Sequence, residues 1–491
     1  MPRLPSRLAR RAAPVWLAAL AAAALPQPAP AQTWTSAASG NWTVASNWDT
    51  NSVPVSGPTT QLVFPNPFAT AYTATNNTGV APQFVLNRLT FTNEAAATVA
   101  NAAGNGLQFA GVSPQIVVDG GGAATVQAVS GTTTNLATTV SVTGAGLGTL
   151  SLVGPIDGAG GLDLNRPTAS RTTISQVNSF QGGVILRSGD LALATSAATL
   201  GSGTIDVRTT GTGLAATGRL VLPSSTTLAN PITVASGAAL TLSAGIGDIL
   251  NGNVSGGGSL YVGNDTALGS VILRGVASHT GGTTIASGFS LSLAGPAGAL
   301  TGPSVTAVRA SLAPGGTGAG LILDSTTADG GNHAAQDRIA DTTTITLARA
   351  GLLLGGADNT GTTEVVGTVN ASGFVPVGVL PGANAGATLT ITQLNRGNRG
   401  TFAFRGPLTG AAPGTAGFAN ILVNQFDAGP TTAQLVGGIL PFAIGDASIS
   451  GAGTGLVTYD AGTGVRSLTA GEYATGLSPA GSAGAANNVQ V

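Results

Sequence analysis

The chain contains no cysteine and no lysine, and only 8% of its 491 residues are charged, against roughly 25% in an ordinary soluble domain. Without cysteine there are no disulfides, thiolate nucleophiles, iron–sulfur clusters or Cys-ligated zinc. Without lysine there is no Schiff base and no P-loop cation. Two histidines are too few for a His-built metal centre. A formal net charge of −1 gives no basic face to meet phosphates, which argues against nucleic acid. Aromatics make up 4%. These absences together point away from an enzyme, and no catalytic, cofactor-binding or metal-binding residue is assigned.

What is present is not the composition of a disordered chain. Hydrophobic residues reach 43%, and Val, Ile, Leu and Thr recur in short alternating runs, whereas disordered segments are poor in such residues and rich in net charge. Many short strands, stacked, would let this sequence bury a large surface.

The first 31 residues carry the pattern of an export signal. Arg3, Arg7, Arg10 and Arg11 form a positive head, an apolar stretch runs from Ala12 to Leu25, and Ala29-Pro30-Ala31 supplies a small-x-small cleavage site. That stretch is shorter than the ~20 residues a spanning helix needs, so a cleaved peptide is expected rather than an anchor. Arg10-Arg11 lacks the flanks of a twin-arginine signal. No later segment has 18 consecutive apolar residues, and the mature chain from Gln32 carries a formal charge of −5.

Internal repetition dominates the rest. Residues 178–189 (NSFQGGVILRSG) align with 277–288 (ASHTGGTTIASG) at an offset of 99. Pro155–Leu162 matches Asn253–Leu260 at 98, and Leu200–Gly203 matches Leu300–Pro303 at 100. A tandem unit of about 99 residues follows. A shorter beat lies inside it: Ser188-Gly189 precedes Leu191 and Leu193, Ser236-Gly237 precedes Leu240 and Leu242, and Ser287-Gly288 precedes Leu291 and Leu293. Spacings of 48 and 51 correspond to two turns of a coil with ~20–25 residues per turn. Leu-x-Leu places two side chains on one face of a strand, and the preceding Ser-Gly makes a corner in which glycine takes positive φ. Neighbouring turns would bury those leucines in a column too narrow for large aromatics. At ~4.8 Å per rung, ~15–18 rungs would give a rod of about 75–85 Å. The expected fold is an all-β parallel β-helix, that is, a β-solenoid.

Composition divides the mature chain. Residues 32–110 hold Trp34, Trp42, Trp48 and several Phe, and read as an N-terminal cap closing the open column. Residues 111–320 read as the regular β-helix, 321–350 as a polar connecting segment, 351–470 as a second solenoid region, and 471–491 as a tail or interrupted continuation.

The pattern Gly-Gly-x-x-Ile/Leu-x-Ser-Gly followed by Leu-x-Leu resembles the autotransporter-associated β-strand repeat of bacterial passenger domains. The copy at 278–288 (SHTGGTTIASG) carries it best. Ser39-Gly40-Asn41-Trp42, Ser46-Asn47-Trp48 and Val53-Pro54 are similar to the start of large surface proteins with these repeats, as is Asp337-Arg338-Ile339-Ala340-Asp341 before Thr344-Ile345-Thr346-Leu347. The resemblance spans about two thirds of the mature chain. It implies a right-handed β-helix, transport to the cell surface and outer membrane or release outside the cell, and an adhesive or stalk-like role. Members of that family usually end in a membrane-inserting β-barrel or a sorting tail, and neither pattern is visible here. A truncated chain, secretion through another protein, and release are the three readings left open.

Candidate chemistry is sparse. His279 takes the place of Phe180 in the neighbouring unit, as a corner or side position of a coil would allow. Ser325, Asp329, His333 and Asp337 lie close in sequence, but no G-x-S-x-G elbow accompanies them, and a polar loop is expected. A β-helix polysaccharide lyase or hydrolase is the rival class. It needs paired carboxylates or acidic clusters for calcium. The chain has no Asp-Asp or Asp-x-Asp; Asp157, Asp163, Asp190, Asp206, Asp248 and Asp265 stand singly, half of them beside glycine, where Asp favours turns. That rival predicts Asp and Arg side chains stacked along one groove. Gly158–Asp163 echoes a calcium-binding nonapeptide only once. The expectation is therefore a non-enzymatic exported solenoid whose partners are cell-surface glycans, neighbouring cells or copies of itself. Intact mass and terminal sequencing of the exported protein should give a chain beginning at Gln32; retention of the first 31 residues would overturn the cleavage reading.

Overall fold

Alternation of apolar and hydroxylated residues builds the molecule directly. In the computed structural model the runs become short parallel strands whose odd and even residues point to opposite sides. The structure describes residues 30–474 and 488–489, apart from 66, 68–69, 210–216, 264–267, 309–318, 328–332, 334–336, 408, 414–415 and 428; residues 1–29 of the stretch expected to be an export signal lie outside the described residues.

The strands wind as a parallel β-solenoid, with three strands to a coil. Along the first face Gln61–Phe64, Arg88–Phe91, Gln115–Val118, Val140–Thr143 and Leu162–Asn165 stack in parallel register. The next rungs are the first half of Val184–Leu193, then Ile205–Val207 and Ile232–Val234. Their inward residues form one column: Leu62, Leu89, Ile116, Val142, Leu164, Leu186, Val207 and Val234, all fully buried. The second face does the same with Leu220, Leu242, Val262, Ile285, Ala307 and Leu347. The third face begins with Gln83–Leu86, Gly106–Phe109, Thr134–Leu136 and Ile156–Asp157. It resumes with Thr227–Leu228, Asp248–Leu250, Gly269–Leu273, Phe289–Leu293 and Ala319–Asp324. Each fully buried aliphatic side chain contributes about 1.5–3 kcal/mol, and the column runs the length of the rod.

Corners set the remaining requirement. Gly189, Gly237 and Gly288, each following a serine, have φ of 86°, 77° and 82°. At Gly281 a Cβ would lie 2.4 Å from the carbonyl of Gly258 on the coil below. No side chain fits between coils at that distance.

Register corrects the meaning of the 99-residue unit. Val184 pairs with Ile205, then Ile232, Val254 and Ala277, four coils in all. The segment matching Val184 in sequence, Thr283–Ile285, lies on the second face instead. Ile156–Asp157 on the third face likewise matches Val254–Ser255 on the first. The sequence repeat is thus four coils plus one face. Of the two shorter spacings, 48 residues is two coils, and 51 is two coils plus a face. The motif encodes strand, glycine corner and strand, and the three corners are alike enough to accept it.

The regional boundaries also move. Regular coils start at Gln61, well inside the segment expected to be the cap. The aromatic layer is confined to the very end, where Trp42 meets Trp48 at 5.8 Å, Phe64 at 6.1 Å and Phe84 at 5.2 Å. The interior also admits aromatics in mid-rod, since Phe180 and Phe289 are fully buried. The 321–350 segment is not a plain connector: Thr344–Ala348 is a rung of the second face. Beyond it, Thr362–Leu380 and Ala387–Arg405 are strands of 19 residues that pass around the coil without a break. One more parallel level follows, Ala419–Phe426 and Ala443–Asp446, and there the winding stops. Ala443–Asp446 pairs antiparallel with Gly455–Asp460, which turns back on Gly464–Ser467, closing an edge that would otherwise offer unpaired N–H and C=O groups. A second aromatic cluster of Phe402, Phe426 and Phe442 (4.6–6.4 Å apart) sits under this closure, with Arg396 over the Phe442 ring. Residues 475–487 and 490–491 lie outside the described residues.

Trp42→Ala should lower unfolding free energy by about 3–5 kcal/mol, read by urea denaturation. Val44→Ala, at a position 44% exposed in the same cap, should stay within ~0.5 kcal/mol.

Candidate functional site

Buried polar groups come first, because they are where chemistry usually hides. His279 is fully buried at a corner; its Nε2 lies 2.9 Å from Thr283 Oγ1 and 3.2 Å from the Gly282 carbonyl. Burial holds its pKa below the ordinary value, so a neutral ring fills the place that Phe180 fills four coils and one face earlier. Arg166 donates to the carbonyls of Gly146 (3.2 Å), Gly148 (2.6 Å) and Arg171 (3.2 Å), and burial pushes it down to about 10. Asn178 and Asn230 bond corner carbonyls of adjacent coils in the same way. These side chains satisfy backbone groups that the turns leave open.

The polar stretch around Ser325 departs from the ladder and is pinned back by two buried ionisable residues. Leu300 bridges to Ile339. Arg338, fully buried, donates from Nη1 to the carbonyls of Gly295 (2.7 Å) and Gly298 (2.9 Å), and from Nε to Ser325 Oγ (3.3 Å). Glu364 on the next coil accepts the backbone N–H groups of Arg338 (3.2 Å) and Ile339 (3.0 Å). The hydroxyl of Ser325 therefore meets a guanidinium. His333 touches Ser325 through its backbone N–H, at 3.4 Å from the Ser325 carbonyl. Asp337 is exposed, and Asp329 lies outside the described residues. The structure brings Ser325 and His333 together by backbone alone.

The single aspartates fall into line only through register. On the second face Arg171 pairs with Asp190, and Asp190 with Arg219; Asp190 Oδ2 lies 3.3 Å from Arg171 and 3.8 Å from Arg219. Around the adjoining corner Arg187 grips Asp163 with two bonds of 2.8 and 3.1 Å, and Arg208 grips Asp206. Half-exposed pairs of this kind contribute about 0–1 kcal/mol each, so stability does not explain their clustering on neighbouring coils. Sequence inspection missed the cluster because the residues are 19 and 29 apart, with no constant period.

The same outward column continues without charge. From Arg219 the register runs through Thr241, Tyr261, Thr284, Thr306, Thr346, Asn370 and Asn395. Asn395 donates to Asn370 (2.9 Å) and Gln393 to Asn395 (2.7 Å). Ten stacked positions give a straight polar wall about 43 Å long. Among the described residues no three His, Asp or Glu side chains are grouped to hold a metal, and no helix is long and apolar enough to cross a membrane. A cleft near the N-terminal end, lined by Gln32, Thr50, Ser52 and Gln61, carries no titratable group.

Burial pushes the Glu364 carboxyl up to about 8, against the two N–H bonds that favour its charge. Its folded-state pKa is above the unfolded value, so the protonated acid stabilises the fold fully below about pH 4.5. That contribution is lost as pH rises through about 8. Melting temperature should fall between pH 5 and 9, and Glu364→Gln should flatten the fall; an equal fall in the variant would remove Glu364 as its source.

No protein-family model matches this chain, and no curated protein or solved structure matches it either.

Proposed function

We propose that the protein is an exported, non-enzymatic surface solenoid of the autotransporter passenger type, working as an adhesive or structural stalk. The observation that carries this reading is the uninterrupted outward column on the second face, from Arg171 to Asn395. It presents guanidinium and carboxylate groups at one end and hydroxyl and amide groups along the rest, at a regular rung spacing of ~4.8 Å. An extended polymer with recurring hydroxyls can meet such a wall at many points. Each contact is weak, and many in series give avidity. Tyr261, 39% exposed in the middle of the column, offers a ring face for a sugar ring to lie on.

A polysaccharide lyase or hydrolase is the second reading, favoured by one observation: Arg and Asp side chains are stacked on adjoining coils. Asp163, Asp190 and Asp206 are each already held by a guanidinium. A carboxylate whose oxygens are already occupied by a guanidinium is poorly placed to reach a glycosidic bond. It suits holding an anionic or hydroxyl-rich chain in register.

Binding of the mature protein to cell surfaces and to a panel of polysaccharides tests the first reading, with release of reducing or unsaturated ends measured in the same samples. Thr306→Glu combined with Thr346→Glu should weaken binding at least about tenfold, or ~1.4 kcal/mol, while circular dichroism is unchanged. Absence of binding to any cell or polysaccharide would sink adhesion; chain cleavage would establish the rival.

A further inference from the structure

The third face changes character halfway along the rod. In the early coils its outward residues are polar and bonded to one another: Gln108 donates to Asn135 (3.0 Å), and Asn135 to Asp157 (2.7 Å). From Asp248 onward the outward register reads Ile249, Ile272, Ser292, Ile322, Leu353. All five are part-exposed, whereas their in-strand neighbours Leu250, Leu273, Leu293, Leu323 and Leu354 are fully buried. On the same levels the second face shows Thr241, Tyr261, Thr284, Thr306 and Thr346, so the apolar column belongs to one face only. Ile246 and Leu268, 63% and 70% exposed, extend it at the corner. One coil beyond Leu353 the face is taken up by the chain itself. Ile449, from the C-terminal closure, lies over Gly378 next to Leu353: a Cβ at Gly378 would come within 2.5 Å of Ile449 and 3.3 Å of Leu353.

We propose that this stretch of the third face is the pairing surface for a second copy of the chain, laid antiparallel about Ser292. The order of the column is self-complementary. A two-fold axis along the strand direction through Ser292 sets Ile272 against Ile322 and Ile249 against Leu353, each contact occurring twice, as an isologous interface demands. The charges beside the column obey the same rotation. Arg274 follows Leu273 and Asp324 follows Leu323, on the coils either side of Ser292, so each Arg274 faces the other copy's Asp324. Two flat sheet faces pack about 10 Å apart, and Ile449 shows that this surface accepts apolar side chains. Five coils by a five-residue strand cover about 400 Å² on each copy, ~800 Å² in total, which is less than a stable dimer needs and is the size of a weak, transient contact. The pairing is therefore weak and reversible. It uses a face that the second-face column leaves untouched, so either reading can fail without the other.

Sedimentation velocity of the whole mature protein from about 1 to 200 µM should show a monomer–dimer equilibrium. Ile272→Glu with Ile322→Glu should weaken it at least thirtyfold, with unchanged circular dichroism and melting. The arrangement itself is tested by cysteine, of which the chain has none. Ser292→Cys, on the axis, should oxidise quickly to a covalent dimer, while Thr284→Cys on the second face should not. Ile249→Cys should cross-link to Leu353→Cys in a mixture but not to itself. A wild-type chain that stays monomeric at 200 µM would overturn the proposal. So would a dimer indifferent to the glutamates, or equal cross-linking of Ser292→Cys and Thr284→Cys. If instead another part of the chain covers this face, the glutamates would lower the melting temperature of a monomer, and that too would overturn it.

Discussion

Everything in this molecule depends on bringing successive coils to within one hydrogen-bonded rung of each other at the corners as well as along the strands. Strands meet that spacing easily, because their backbone groups bond outward to the next coil. Corners do not, since they leave carbonyls unpaired and bring backbone against backbone. The protein answers with glycine where contact is closest, as at Gly258 and Gly281, and with long polar side chains where carbonyls need a donor. Arg166, Asn178, Asn230 and Arg338 all serve the second purpose. Much of the small supply of charge and amide is thus consumed by architecture before any surface is decorated.

The low charge and the scarcity of aromatics follow from the same constraint. A three-sided interior filled by single aliphatic columns offers few places for a large ring, so rings gather where the column ends. Trp34, Trp42 and Trp48 close one end, and Phe402, Phe426 and Phe442 lie beneath the antiparallel closure at the other. Both ends present a final rung with no successor, and in both a change of strand direction or a bulky layer takes its place.

Because each coil adds one residue to each outward column, surface chemistry is written one rung at a time. The second face carries guanidinium and carboxylate groups, then hydroxyls, then amides. The third face passes from amides to isoleucines. Neither sequence of groups has anything to do with neighbours in the chain, since residues on adjoining rungs are separated by about twenty to forty positions. Such columns can change independently of the core, whose inward residues stay aliphatic throughout. A rod of this kind can therefore carry different chemistry on different faces without altering its fold.

Period-two alternation, Ser-Gly corners and Leu-x-Leu pairs are local properties, and the sequence alone was enough to determine a stacked parallel β-fold, the buried leucines and the positive-φ glycines from them. The likeness of residues 178–189 and 277–288 also showed that the unit recurs. Local patterns could not say on which face a unit recurs, because strand, corner and strand look alike on all three sides. Only register decided that the 99-residue offset is four coils and one face, and that coils begin at Gln61. Register also aligned Arg171 with Asp190 and Arg219, and Ile249 with Ile272, Ile322 and Leu353. The coil length varies from rung to rung, so no fixed spacing in the sequence marks these alignments. Hydrogen bonding between coils places the residues side by side, and that information exists only in the folded chain.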